Sequence, residues 1–113
     1  MEEFDKDLTG KHCKPCEGGV LPIDPSAVDK LLQRLEGWEE SEGQIGKLFK
    51  FKNHYQTMAF VNAIAWISLR ENHHPDLHVG YNTCHVSYTT HAIEGLSKND
   101  FICASKVDDL MRN

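Results

Sequence analysis

A chain of 113 residues, 40% hydrophobic and 26% charged, suits one domain around a single modest core. Its 17 acidic and 12 basic side chains give a net charge of −5, with no basic run, which argues against a nucleic-acid-binding or membrane-surface protein. The first seven residues are acidic, and the longest apolar-rich stretch, Met58 to Leu69, is broken by Asn62 and Ser68. Neither a secretory signal nor a membrane span is therefore expected, and the four cysteines read as reduced thiols of a cytoplasmic protein.

Residues 1–22 mix charge, Gly18-Gly19 and two prolines without periodicity, and read as an irregular N-terminal arm before a domain spanning 23–113. Asp24 caps a first helix and Pro25 suits its first position. Val28, Leu31, Leu32 and Leu35 recur at i, i+3, i+4, i+7 and form one apolar face, with Gly37 as a stop. Trp38 to Ser41 and Ile45 to Phe51 flank Glu42-Gly43-Gln44 and predict a hairpin. Asn53 caps a second helix to about Arg70, apolar nearly all round and so expected to be the central buried one, with Pro75 forcing its end.

Two short strands follow, about Asp76 to Gly80 and Cys84 to Thr90. Ser97 with Asp100 resembles a capping box and opens a last helix through Met111. The order is α-β-β-α-β-β-α. Short connections make a four-stranded antiparallel sheet, with helices packed on one face, the natural α+β solution.

Seven histidines are many for this length, and the register of the last two strands places three of them. Leu77 and Val79 alternate with polar residues, as do Cys84, Val86 and Tyr88. Matching the apolar sets pairs Val79 with Cys84 and Leu77 with Val86. Extended backwards, that register sets His74 beside Thr89 and His73 beside Thr90, with His91 one residue on. Imidazole titrates near neutrality, so such a cluster can supply both a general acid and a general base. His12, His54, His78 and His85 have no comparable convergence.

A metal is the competing reading of His73, His74 and His91. Adjacent residues on an extended segment point to opposite sides, however, and seldom ligate one ion together. His12-Cys13-Lys14-Pro15-Cys16 is half a zinc site or a redox CxxC, and it lacks a second ligand pair. A surface arm with two thiols is the plainer expectation, with zinc on Cys13, Cys16 and His12 as the alternative.

Glu71-Asn72-His73-His74-Pro75-Asp76, then Val79-Gly80-Tyr81-Asn82, Thr90-His91, Gly95-Leu96-Ser97 and Asp100, resemble the pterin-4a-carbinolamine dehydratase family. Gly37-Trp38 and Phe49-Lys50-Phe51-Lys52-Asn53 extend the resemblance over roughly residues 20 to 112. It implies dehydration of 4a-hydroxytetrahydrobiopterin to the quinonoid dihydropterin, which recycles the cofactor of aromatic amino-acid hydroxylases such as phenylalanine hydroxylase. No metal or organic cofactor is implied, because the pterin is the substrate. His73, His74 and His91 match the family's catalytic histidines: His73 and His91 for proton transfer, His74 for binding and contact with the hydroxyl. Asp100 matches the motif aspartate, which orients a histidine or caps a helix. Trp38 matches a tryptophan that walls the pterin site or belongs to the core. Asp76 and Thr90 stand in the motifs as supporting residues. Many members carry an acid where this chain has Leu69, and Glu71 lies at the wrong helical offset to replace it.

The resemblance also implies self-association as dimer or tetramer, to which an open strand edge lends itself. The rival function class is a protein-binding module of the same fold, a transcriptional coactivator. Non-catalytic pterin binding is a third reading, since fold does not fix function.

Overall fold

A computed structural model describes residues 8–14 and 22–112 of the chain. The elements run α1 (Pro25–Leu32), β1 (Glu39–Ser41), β2 (Gln44–Lys50), α2 (His54–Glu71), β3 (Asp76–Val79), β4 (Thr83–Tyr88) and α3 (Lys98–Asp109). This is the expected order. The strands form one antiparallel sheet in the sequence β1-β2-β4-β3.

Alternation decides which side of the sheet the helices cover. Ile45 and Phe49 of β2 pair with Tyr88 and Cys84 of β4, and all four are buried, as is Val86. Val28 and Leu31 of α1, Phe60, Ile64 and Ile67 of α2, and Phe101 with Val107 of α3 close over them in one apolar cluster. The opposite face carries Gly46, Leu48, His78, His85 and Ser87 and is covered by no helix among the described residues. Leu8, in the segment expected to be an irregular arm, belongs to the same core at 5% exposure. The arm is therefore not an appendage over residues 8–14.

The helix ends depart from expectation in informative ways. Asp24 occupies the N-cap of α1, yet its side chain caps nothing. Its carboxylate takes the Ser26 hydroxyl instead, while its backbone carbonyl accepts from Val28. α1 stops at Leu32, well before Gly37. The hairpin turn is shorter than expected, because Gln44 pairs with Ser41. Glu42 and Gly43 both have positive φ, 53° and 78°, the signature of a two-residue type I′ turn.

α2 corrects the expectation of a central buried helix. Its buried positions are Thr57, Phe60, Ile64, Ile67 and Glu71, a single stripe at helical spacing. Tyr55, Trp66 and Leu69 stand largely in solvent on its other sides. Composition alone could not separate a helix buried all round from one with an apolar outer face. Asn53 caps it as expected, accepting the Gln56 N–H at 2.9 Å. Its end is set by Asn72 and not by Pro75: Asn72 is left-handed, φ 53°, and its N–H returns to the Ser68 carbonyl. Asparagine tolerates this conformation better than other side chains. Asn72→Ala is therefore expected to cost about 1 kcal/mol of stability, and Asn72→Gly close to nothing, as chemical denaturation of the two variants would measure.

The register of β3 on β4 is the one derived from the apolar pattern. Val79 pairs with Cys84 and Leu77 with Val86, across a four-residue turn closed by the Gly80 N–H to the Thr83 carbonyl at 2.8 Å. Among the described residues no helix is long and apolar enough to cross a membrane.

Candidate active site

The segment that leaves α2 is turned by Asn72 toward the far end of β4. His73 and His74 follow the turn and lead into β3, which pairs with β4 from Asp76 and Ser87 onward, and they share one cavity with Thr89 and Thr90. Beyond β4, Thr90 and Gly95 form a two-way backbone bridge, and the residues between them make a single 3-10 turn, His91–Ile93. Gly95 is required at the bridge, because a Cβ there would meet the Pro22 ring at 2.7 Å. These constraints bring His73, His74 and His91 to one cavity of about 480 Å³. Thr89, Thr90, Arg70, Glu71 and Asn72 also line it, together with Cys13, Lys14, Ala92 and Asn99.

His73 is the most tightly held of the three. Its Nε2 lies 2.6 Å from Oδ1 of Asp100, and its ring stacks nearly parallel on Tyr88 at 5.8 Å. Asp100 is completely buried and must therefore be satisfied on every side. Its second oxygen accepts the Thr90 hydroxyl at 2.8 Å and the Ser97 N–H at 2.9 Å. The two roles weighed for Asp100, capping α3 and orienting a histidine, are both filled, one by each oxygen. Ser97 completes the capping box, and its hydroxyl donates onward to Thr90 at 2.7 Å. A carboxylate only accepts, so Nε2 of His73 carries the proton and Nδ1 is left as the nitrogen that can take one up. His74 and His91 are exposed at the cavity and free to meet a ligand.

Beneath His73, Tyr88 is buried. Burial first, then the nearby thiols and Asp100, push its phenol above its usual range, so it remains a neutral platform at physiological pH. Trp38 is one ring further away. It packs on Tyr88 and Phe49, and its indole N–H donates to the Asp108 carboxylate at 3.1 Å. It is a core residue supporting Tyr88 and not a wall of the cavity. Asp76 is likewise outside: it stands exposed on β3, paired with Ser87.

Among the cavity residues that the sequence did not single out are Lys14, Glu71 and Asn99, and Cys13 stood out only as a candidate zinc ligand. The helical offset that spoke against Glu71 concerned replacing an acid at position 69. Leu69 faces solvent, whereas Glu71 is buried and lines the cavity directly. Burial pushes its carboxyl up, but the Cys13 N–H, His12 and Lys106 outweigh that and hold it below the ordinary range, so it is ionised at neutral pH. Glu71 takes the Cys13 N–H at 2.7 Å and His12 at 2.9 Å. The Cys13 thiol lies 3.5 Å from that of Cys103. His12 and Cys13 are thus engaged with different partners. Cys16, the third member of the zinc alternative, lies outside the described residues, and among those residues no group of three or more ligating side chains could hold a metal. His54 stacks on Tyr81, and His78 meets His85 on the open sheet face, both away from the cavity.

A family model described as pterin 4 alpha carbinolamine dehydratase matches residues 21–110. The chain belongs to this family. A relative from Nitrosomonas europaea, which bears the provisional name pterin-4-alpha-carbinolamine dehydratase, is 61% identical over 108 residues, covering 95% of this chain and 96% of its own. One from Nitrosospira multiformis with the same provisional name is 59% identical over 112 residues, 99% of each chain. A crystal structure from Brucella melitensis, described as a transcriptional coactivator/pterin dehydratase, superposes with a TM-score of 0.78 at 26% identity, over 80% of this chain and 99% of that one. The fold is also that of a pterin dehydratase-like RuBisCO assembly factor of the alpha-carboxysome, TM-score 0.55 at 23% identity over 65% of this chain and 84% of that one. Membership of the pterin dehydratase family places the chain among the hydro-lyases.

Proposed function

We propose that this pterin dehydratase-family protein acts on 4a-hydroxytetrahydrobiopterin, releasing water and the quinonoid dihydropterin by histidine acid/base catalysis. The observation that carries the reading is the convergence of His73, His74 and His91 on one cavity. The reaction needs a proton delivered to the hydroxyl on carbon 4a, so that the C–O bond breaks and water leaves. It also needs the proton on ring nitrogen 5 removed, its electron pair becoming the new C=N bond. One group must give a proton while another takes one, which neutral and protonated imidazoles do near pH 7. No metal or organic cofactor enters that balance.

His73 and His91 are assigned to the two proton transfers. His73 presents Nδ1 because Asp100 engages Nε2, and His91 approaches from the 3-10 turn. His74 contacts the leaving hydroxyl. Thr90 supports the pair by holding Asp100. The setting is cytoplasmic recycling of the pterin used by an aromatic amino-acid hydroxylase. Self-association as a dimer or tetramer accompanies it, with the exposed Tyr55, Trp66 and Leu69 of α2 and the open edge of β3 available for contact.

The same apolar face of α2 favours a second reading, a protein-binding module, in keeping with the coactivator description of the Brucella structure. One assay separates the two. Freshly generated 4a-hydroxytetrahydrobiopterin is followed by ultraviolet absorbance with and without the protein, in the presence of chelator. Acceleration well above the spontaneous rate, unaffected by chelator, is the expected result. Folded protein that leaves the spontaneous rate unaltered would overturn the enzyme reading in favour of the binding module.

A further inference from the structure

The family domain begins at residue 21, yet Cys13 and Lys14 line the cavity that holds the three histidines. We infer that these two residues form a wall of the pterin site and set how tightly pterin is held, with Glu71 and Asn99 as the positioning residues that fix them there. The inference rests on the pterin reading of the cavity.

The anchoring is specific. Asn99 brackets Lys14 with both ends of its amide: Oδ1 accepts the Lys14 N–H at 3.0 Å, and Nδ2 donates to the Lys14 carbonyl at 2.6 Å. Glu71 accepts the preceding N–H, that of Cys13. Leu8 sits in the core, so the stretch is pinned at both ends. Glu71 is the last residue of α2, where the negative end of the helix dipole disfavours an acid, and it is buried, which disfavours the charge again. What offsets both costs is the Cys13 N–H together with His12 and Lys106. Carboxylate and arm therefore depend on each other, two residues before His73.

The chemistry that the wall offers is contact and not proton transfer. The N–H groups of Cys13 and Lys14 are consumed by Glu71 and Asn99. The Cys13 thiol is pushed above its ordinary range, first by its hydrogen bond with Cys103 and then by burial, so it is neutral at pH 7. Contact that is equal in the ground and transition states changes KM and leaves the chemical step nearly alone. Variants that release the wall thus differ in kind from variants of the histidines.

The test compares wild type with Glu71→Ala, Glu71→Gln, Asn99→Ala and Lys14→Pro, the last removing the N–H that Asn99 accepts without altering the helices. Amide hydrogen exchange reads the Cys13 and Lys14 N–H groups where present. Calorimetry reads binding of 7,8-dihydrobiopterin, and carbinolamine turnover separates KM from kcat. Slow exchange is expected in wild type, fast exchange in Glu71→Ala and Asn99→Ala, and recovery in Glu71→Gln, which still accepts from Cys13. Pterin affinity and KM should worsen about tenfold in the released variants, the consequence of one lost anchoring hydrogen bond, with kcat falling less than about threefold. Fast exchange in wild type, or released variants that bind dihydrobiopterin as tightly as wild type, overturns the inference. Wild type that binds dihydrobiopterin without turnover sinks the dehydratase reading while the wall is still judged by affinity. Wild type that binds no pterin overturns the wall as well.

Discussion

Replacing His91 by alanine is expected to lower kcat for carbinolamine dehydration about 10²-fold or more, with thermal stability close to wild type. A positioned acid or base contributes roughly 10²–10⁴-fold to a proton transfer, and His91 is exposed on a turn held by the Thr90–Gly95 bridge, so the fold does not depend on its ring. His73→Ala is expected to lose at least as much activity. It also costs stability, because it uncovers the Tyr88 ring and leaves a buried Asp100 oxygen without its partner. His73→Gln keeps a donor toward Asp100 without a titrating ring, which separates the chemical loss from the structural one. If the two histidines act as the acid and the base of one step, the double variant should be little worse than either single one, since groups working as a unit are not additive. Steady-state kinetics on the four variants gives the answer, and near-wild-type kcat in His91→Ala would remove it from the proton-transfer pair.

Asp100→Asn should be nearly as damaging to kcat as loss of His73, although it alters a residue that is fully buried and lines no part of the cavity. The argument is one of proton placement. The amide oxygen of the variant is claimed by the Ser97 N–H and the Thr90 hydroxyl, both of which need an acceptor. Its NH₂ then faces His73 and forces Nε2 to accept, which moves the ring proton to Nδ1. That nitrogen can no longer take up a proton from the pterin, and a histidine held in the wrong tautomer loses catalysis by orders of magnitude. We expect a fall in kcat of about 10²-fold or more. The stability loss should be about 1–2 kcal/mol, because the helix cap survives and only a charge-assisted bond is exchanged for a neutral one. Asp100→Ala strips the cap as well, and should destabilise by about 2–3 kcal/mol more than a surface substitution. The informative readouts are the ¹⁵N shifts of the His73 ring, which report the tautomer directly, and kcat beside the denaturation midpoint. A variant with the wild-type tautomer and wild-type kcat would reduce Asp100 to a helix cap.

Much of this is legible in the amino-acid order alone. The histidine cluster followed from a single physical rule: a strand shifted by one residue moves its whole apolar set to the wrong face. Leu77, Val79, Cys84 and Val86 therefore admitted few registers, and the one they favoured carried His73 and His74 to Thr90 and Thr89. The capping box at Ser97 and Asp100 was equally local, three residues apart, and so was the Asn53 cap. These features depend on neighbours along the chain or on alternation within one hairpin, where sequence order and spatial order coincide.

What the sequence could not decide were contacts between segments far apart in the chain. Asp100 meets His73 across 27 residues, and Trp38 meets Asp108 across 70. That second contact made Trp38 a core residue and not a wall. The burial of α2 depended on how much of it the sheet and α3 could cover, which composition does not encode. The arm departs from its expected looseness for the same reason. Its irregular sequence signals no helix or strand, yet Cys13 and Lys14 are held by Glu71 and Asn99, 58 and 85 residues away. Hydrogen bonds of that kind leave no periodic trace, because each requires only one donor and one acceptor brought together by the packing of everything between them. The amino-acid order by itself determined the order of the elements, the register of β3 on β4 and the approach of the histidines. Tertiary packing alone decided what buries the acid behind them and what closes the cavity in front.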